Sequence, residues 1–355
     1  MKKSLSQENI KKLDNSHMLG LLSDFPDQCN AAMALAQKAS FLFEKRDFTK
    51  IVFAGMGGSA IGADLVRSYL YLESKIPITV LREYRLPAYV DKDTLVIVAS
   101  YSGNTEETLS AYKQAREKGA TLVVISSGGT LKEYASKDRV TFIEIPRNLP
   151  PRCSLGYLSI IPLCLLARLG KAQEPGAAIS QMIKILEDLK NRYLNPGIAQ
   201  KDNIAKTAAL RLYNKLPFIY SSSVHFDVCA IRFRGQIAEN AKALSSSHVF
   251  PEMNHNEIVG WENPKKQFKN FIVVMLRDQQ MHARVGIRMD ITASLIREEG
   301  VELIEIWSRG EGLLSRIFSL IYIGDFVSFY LAILYGIDPT PVDRVAYLKE
   351  QLAKR

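Results

Sequence analysis

Short apolar, β-branched runs alternate with longer helical stretches along this chain, and that alternation leaves few folds open to it. Ile51–Ala54, Ile78–Leu81, Leu95–Ala99, Leu122–Ile125 and Phe142–Ile145 read as strands that are apolar on both faces. Between them, Ala63–Tyr71 and Glu106–Lys118 carry helical spacing. A strand apolar on both sides must be covered twice, which predicts a parallel sheet with helices on both faces. The second half repeats the plan, with strands at Phe218–Ser222, Phe271–Met275 and Leu303–Ile306 and helices at Ala230–Leu244, Met289–Glu299 and Leu313–Leu334. Thr94–Ser126 and Asn270–Trp307 each run strand, turn, polar helix closed by a charged residue and glycine, then strand. The expectation is an α/β chain of two doubly wound parallel-sheet subdomains, each three layers (α/β/α), with a C-terminal helix.

At roughly 100–200 residues per domain, 355 residues suggest two. The predicted division is an N-terminal helical segment (1–45), a first subdomain (46–170), a linker helix (171–205), a second subdomain (206–335) and a C-terminal helix (336–355). Gly170, Pro175 and Asn195–Pro196–Gly197 punctuate the linker around helical Ile179–Lys190. The run Gly336–Pro341 stops one helix, and Asp343–Leu352 restarts another.

An apolar fraction of 47% is enough for full cores. No apolar run of the ~18 residues that span a bilayer stands clear of charges. Met1–Asn15 is polar and lysine-rich, unlike a secretory signal. A cytoplasmic protein is expected, with no membrane partner. Cys29, Cys153, Cys164 and Cys229 form no C-x-x-C pair and no zinc spacing, so they read as reduced, buried thiols; Cys153, in an unusual loop, is the one that invites a catalytic reading. The net charge of +9 is spread along the chain without a basic block. That suits a small anionic ligand better than nucleic acid.

Two loops carry the chemistry. Gly55-Met-Gly57-Gly58-Ser59-Ala60 follows a strand and opens a helix, where glycines let a ligand approach the backbone and unpaired N–H groups face an anion. Gly55-x-Gly57-x-x-Ala60 superficially matches a dinucleotide fingerprint, but the second strand leads to Arg82 and Glu83 instead of a lone acid. A tight turn with no ligand is the plainer reading. Ser100-Tyr-Ser102-Gly-Asn-Thr105-Glu-Glu107 ends an apolar strand, the place where open α/β sheets bind ligands. Three hydroxyls with backbone N–H groups can ring a phosphate monoester, whereas a capping box on Asn104 or Thr105 needs only one of them. No Gly-Lys-Ser/Thr follows, so neither a nucleoside triphosphate nor Mg²⁺ is indicated.

Gly57-Gly58-Ser59 followed by Ser100-x-Ser102-Gly-x-Thr105-x-Glu107 resembles the sugar isomerase (SIS) domain. Pro150-Pro-Arg152-Cys-Ser, Arg234-Gly-Gln-Ile-Ala-Glu239-Asn, Pro251-Glu-Met-Asn-His255-Asn-Glu257 and Tyr347-Leu-Lys349 narrow the likeness to the bifunctional phosphoglucose/phosphomannose isomerase family, over about Ile51 to Lys349. The resemblance implies two SIS subdomains and an aldose–ketose isomerase of hexose phosphates. It further implies a homodimer with shared active sites and no metal or organic cofactor. Gly57, Gly58, Ser59, Ser100, Ser102 and Thr105 would hold the substrate phosphate.

The same resemblance assigns the catalytic groups. Moving a proton between C1 and C2 through an enediolate takes a base, a cation near the oxyanion and an acid/base pair to open the ring. Glu239 would be the base; spacing alone reads it as a surface glutamate pairing with Lys242 or Arg234. Arg152, behind two prolines, would offset enediolate charge; alone it is an ordinary loop arginine. His255 would open the ring from the neighbouring subunit's side, with His225, by a strand end, as a rival. Lys349 would assist it, and is otherwise a solvated lysine beside the stripe Val345, Leu348, Leu352. Thr340 would leave room for rotation about C2–C3. A non-catalytic SIS sugar-phosphate regulator is the alternative, although the stretch before Ile51 holds no clear DNA-recognition helix.

Overall fold

In the computed structural model, residues 4–44 and 46–354 are described; Met1–Lys3 and Lys45, at the ends of the predicted N-terminal segment, and Arg355, at the end of the C-terminal one, lie outside the described residues. Three helices come first: α1 (Gln7–Leu13), α2 (Met18–Ser23) and α3 (Phe25–Lys38). Then follow β1 (Lys50–Ala54), α4 (Gly57–Leu70), β2 (Ile78–Leu81), β3 (Thr94–Ala99), α5 (Glu106–Glu117), β4 (Thr121–Ser126), α6 (Gly129–Asp138), β5 (Thr141–Glu144), α7 (Leu155–Arg168) and α8 (Gly176–Leu189). The rest of the chain forms α9 (Ile204–Leu212), β6 (Leu216–Ser222), α10 (Asp227–Ala241), β7 (Ser246–Phe250), β8 (Phe271–Arg277), α11 (Ala283–Glu298), β9 (Glu302–Trp307), α12 (Leu313–Tyr335) and α13 (Asp343–Ala353).

The chain divides into two compact units, residues 24–184 with 312–314, and residues 1–23, 185–311 and 315–355. The first unit holds a parallel sheet of order β2-β1-β3-β4-β5. The second holds a parallel sheet of order β7-β6-β8-β9. The internal repeat therefore extends to topology: β6, β7, β8 and β9 take the places of β1, β2, β3 and β4. Every residue of β3 and β4 is buried, as strands covered on both faces must be. Val52, Val96, Val98, Tyr112, Val124 and Leu131 form one core. Tyr220, Phe250, Trp261, Val273, Met275 and Ile296 form the other. Full burial of each such side chain stabilises the fold by about 1.5–3 kcal/mol.

The differences from the sequence reading have local causes. β7 reads Ser-Ser-His-Val-Phe and lies at a sheet edge, so it lacks the continuous apolar run of a central strand. The helix α4 starts at Gly57, not Ala63, because its first turn is the glycine loop itself. The helix α10 stops at Ala241, where Lys242 takes a left-handed φ of 53°. The helix α12 is consistent with the membrane reading: Arg316 and Asp325 interrupt it, and although it is long and apolar enough to cross a bilayer, its apolar stretch is wholly buried inside the protein.

Candidate active site

In the first unit, three segments converge at the carboxyl ends of β1 and β3. Ser100 is buried, and its Oγ lies 3.0 Å from Thr105 Oγ1 and accepts from the Gly103 N–H at 3.2 Å. Ser102 is exposed, and its hydroxyl accepts from Asn104 N–H at 3.3 Å. Thr105 is the N-cap of α5, but its side chain makes no capping bond. The Asn104 side chain accepts instead from the Thr130 N–H at 2.9 Å. The capping-box alternative is thus not realised, and the first turn of α5 is open to an anion. Met56, the N-cap of α4, likewise makes no side-chain cap.

Glycine is required where the loops press together. A Cβ on Gly103, whose φ is +71°, would come within 1.8 Å of the Gly128 carbonyl oxygen. A Cβ on Gly58 would lie 2.9 Å from the Pro151 carbonyl oxygen. The turn Pro151–Cys153 carrying Arg152 therefore packs directly on the glycine loop. Arg152 is buried, with 3% exposure. Two residues that spacing does not reveal hold its turn. Gln28 donates to the Cys153 carbonyl at 2.8 Å and accepts from the Gly156 N–H at 2.7 Å. The Tyr101 hydroxyl donates to Pro146 O at 3.0 Å and accepts from Leu149 N–H at 2.7 Å, tying the serine loop to the segment that leads to Arg152. Burial pushes the Tyr101 phenol up, and the Leu149 N–H opposes this. Arg82, where a dinucleotide fold would want an acid, pairs with buried Asp64 of α4.

In the second unit, Glu239 sits half-buried in the last turn of α10. That helix is locked onto α12 by a buried bidentate pair, Arg232 Nε to Asp325 Oδ1 at 3.0 Å and Nη2 to Oδ2 at 2.7 Å. The Asn240 amide donates to Ser328 Oγ at 2.9 Å. The Lys242 ammonium donates to Glu239 O at 2.8 Å and to Pro339 O at 2.8 Å, bringing the end of α10 against the loop that holds Thr340. Thr340 N–H bonds to Asp338 Oδ1 at 2.9 Å.

His255 is exposed at the end of the short turn Glu252–His255. Asn254 anchors that turn to α11 through Thr292 Oγ1 at 2.9 Å. Just beyond it, Glu257 accepts from the Tyr220 hydroxyl of β6 at 2.5 Å, and the Trp261 indole donates to that hydroxyl at 3.2 Å. Burial, then Glu257, pushes the Tyr220 phenol far above its ordinary value. His225, the rival, is half-buried at the carboxyl end of β6, beside Val224 with a left-handed φ of 74°. Lys349 is exposed on α13. Among the described residues, no set of three or more His, Cys, Asp or Glu side chains is placed to hold a metal. All four cysteines are buried thiols, and burial pushes Cys164 up to about 12, which leaves it protonated and unreactive at neutral pH.

The SIS domain pattern matches residues 44–148, and the bacterial phospho-glucose isomerase C-terminal SIS domain pattern matches residues 201–352. A bifunctional phosphoglucose/phosphomannose isomerase of Caldicellulosiruptor bescii is 47% identical, covering 93% of this chain and 97% of that one. Its counterpart in Aquifex aeolicus is 37% identical, covering 88% and 95%. Among solved structures, a hypothetical protein from Thermus thermophilus superposes with a TM-score of 0.78 at 16% identity, covering 98% of this chain and 94% of that one.

Proposed function

This chain belongs to the bifunctional phosphoglucose/phosphomannose isomerase family and is a sugar-phosphate isomerase; from that premise we propose how its residues divide the work. Glucose 6-phosphate and mannose 6-phosphate are its aldoses and fructose 6-phosphate its ketose. The observation that carries the reading is the loop Ser100–Thr105, with its hydroxyls gathered at an uncapped helix start, next to a glycine loop on which the Arg152 turn packs. A phosphate monoester held there by Ser59, Ser100, Ser102, Thr105 and the Gly57–Gly58 amides leaves the sugar carbon chain near a buried guanidinium.

His255 and Lys349 open the pyranose by moving a proton from the C1 hydroxyl to the ring oxygen. Glu239 then takes the C2 proton of the aldose and exchanges it with solvent, Arg152 offsets the charge growing on the enediolate oxygens, and Glu239 protonates C1 while the O2 hydroxyl proton passes to O1. In reverse, rotation about C2–C3, allowed at Thr340, lets C2 be reprotonated on either face, which yields both epimers. No metal or organic cofactor is needed, because the guanidinium supplies the counter-charge.

A homodimer in which His255 reaches the neighbouring copy's site is part of the proposal. Two exposed apolar stripes support it: Ile287, Ile291 and Leu295 on α11, and Val345, Leu348 and Leu352 on α13, each 43–58% exposed. Such stripes at helical spacing mark interaction surfaces. A cytoplasmic location is a further part of the proposal. The test is a coupled assay of fructose 6-phosphate formed from each aldose with EDTA present. Both are expected to react at undiminished rate; loss of activity on chelation would refute the cofactor-free mechanism.

A further inference from the structure

A cavity of about 520 Å³ opens in the second unit at the carboxyl ends of β8 and β9, lined by Gln279, Gln280, Trp307, Ser308, Arg309 and Arg316 among others. Its volume is that of a small-molecule pocket. Because β8 and β9 stand where β3 and β4 stand in the other sheet, its place corresponds to that of the Ser100–Thr105 loop. There the two loops are pressed shut, Gly103 against Gly128. Here the two loops are joined through the side chains of Asp278 and Ser308.

The charges within the cavity are settled except for one. Buried Asp278 faces Arg316 Nε at 2.9 Å, accepts from Ser308 Oγ at 2.5 Å and accepts from the Gln280 N–H at 3.1 Å. Asp188 pairs with Arg192 at 3.2 Å. Arg309, half-buried, lies over the Tyr193 ring at 4.2 Å, and among the described residues no carboxylate stands within ion-pair distance of it. The ring it lies on fixes the guanidinium without neutralising it. Trp307, 43% exposed, contributes an aromatic ring to the wall. An unneutralised guanidinium, two primary amides and an aromatic plate together suit an anion attached to a ring.

We propose that this cavity is a second ligand site, separate from the Ser100–Thr105 loop, that takes a phosphate monoester carrying a sugar or base ring. Arg309 receives the phosphate, Gln279 and Gln280 bond its oxygens or the ring hydroxyls, and Trp307 stacks on the ring. The proposal does not depend on the isomerase mechanism.

Tryptophan emission of the full-length protein reads the site, since the chain has two tryptophans and Trp261 is buried in the core. Titration with fructose 6-phosphate and with AMP distinguishes sugar from base, with inorganic phosphate as the ring-free probe. At least one ester is expected to change the emission saturably and at lower concentration than inorganic phosphate. Trp307→Phe is expected to remove that signal. Arg309→Ala is expected to raise the half-saturating concentration about ten-fold or more, with Arg309→Lys intermediate, while thermal stability and kcat/KM for isomerisation stay within about two-fold. Ser102→Ala, which weakens the first site, is expected to leave the Trp307 signal in place. No saturable change with either ester, a change that survives Arg309→Ala, or equal saturation by inorganic phosphate would overturn the assignment.

Discussion

A carboxylate and a glycine carry the sharpest expectations at the scale of single residues. Glu239→Gln keeps the shape of the side chain and removes the base, so kcat should fall by about 10²–10⁴-fold with little change in KM. Steady-state kinetics with either aldose checks this; a loss confined to KM would make Glu239 a binding residue. Gly103→Ala forces a Cβ to 1.8 Å from the Gly128 carbonyl at a φ of +71°. The strain should destabilise the fold by at least about 1–3 kcal/mol in urea unfolding and raise KM by moving the hydroxyls around it. The Ser100–Thr105 loop is legible in the sequence because its chemistry is local: hydroxyls, a glycine and a helix start lie within six positions. Gln28 and the Glu257–Tyr220 pair are not, since the first acts 125 residues away and the second spans 37. No periodicity encodes such meetings; only the folded chain brings them together.

Among the elements, apolar strands announce themselves at the centre of a sheet and at its edge alike, and a polar edge strand does not. Buried β3, β4 and β8 appear in the sequence as unbroken apolar runs, whereas β7, polar and at the sheet margin, is hidden. The ties between elements are legible only in the structure. At the start of β9, burial raises the Glu302 carboxyl, but Lys215 and Arg211 outweigh it and hold the group below its ordinary value. A depressed carboxylate contributes stability above its unfolded pKa of about 4.3, and that contribution is lost as pH falls through the native value. Glu302→Gln should therefore lower the urea midpoint at neutral pH, by a margin that shrinks as the pH falls below about 4.3. A gap that persists in acid would place the effect in packing and not in the ion pairs.

For the molecule as a whole, the presence of two parallel-sheet units is the property the sequence conveys best, because both sheets are built from the same alternation. Assembly is less visible, since an apolar stripe on a helix reads equally as a face for the chain's own core. Leu348 and its neighbours on α13 are exposed, and the proposed dimer would cover them. Leu348→Asp should shift the protein from dimer to monomer in sedimentation velocity and reduce turnover, because His255 would no longer reach a second copy. A monomeric parent of full activity would remove the shared site from the account.

Proton transfer at C2 is what the loop, the arginine and the glutamate are proposed to serve. Isomerisation of fructose 6-phosphate in D₂O, followed by proton NMR of the aldoses formed, reads it directly. The account predicts deuterium at C2 of both glucose 6-phosphate and mannose 6-phosphate, and almost none of either product with Glu239→Gln. Aldoses that form at an undiminished rate with Glu239→Gln, or that carry only protium at C2 from the first turnover, would contradict it.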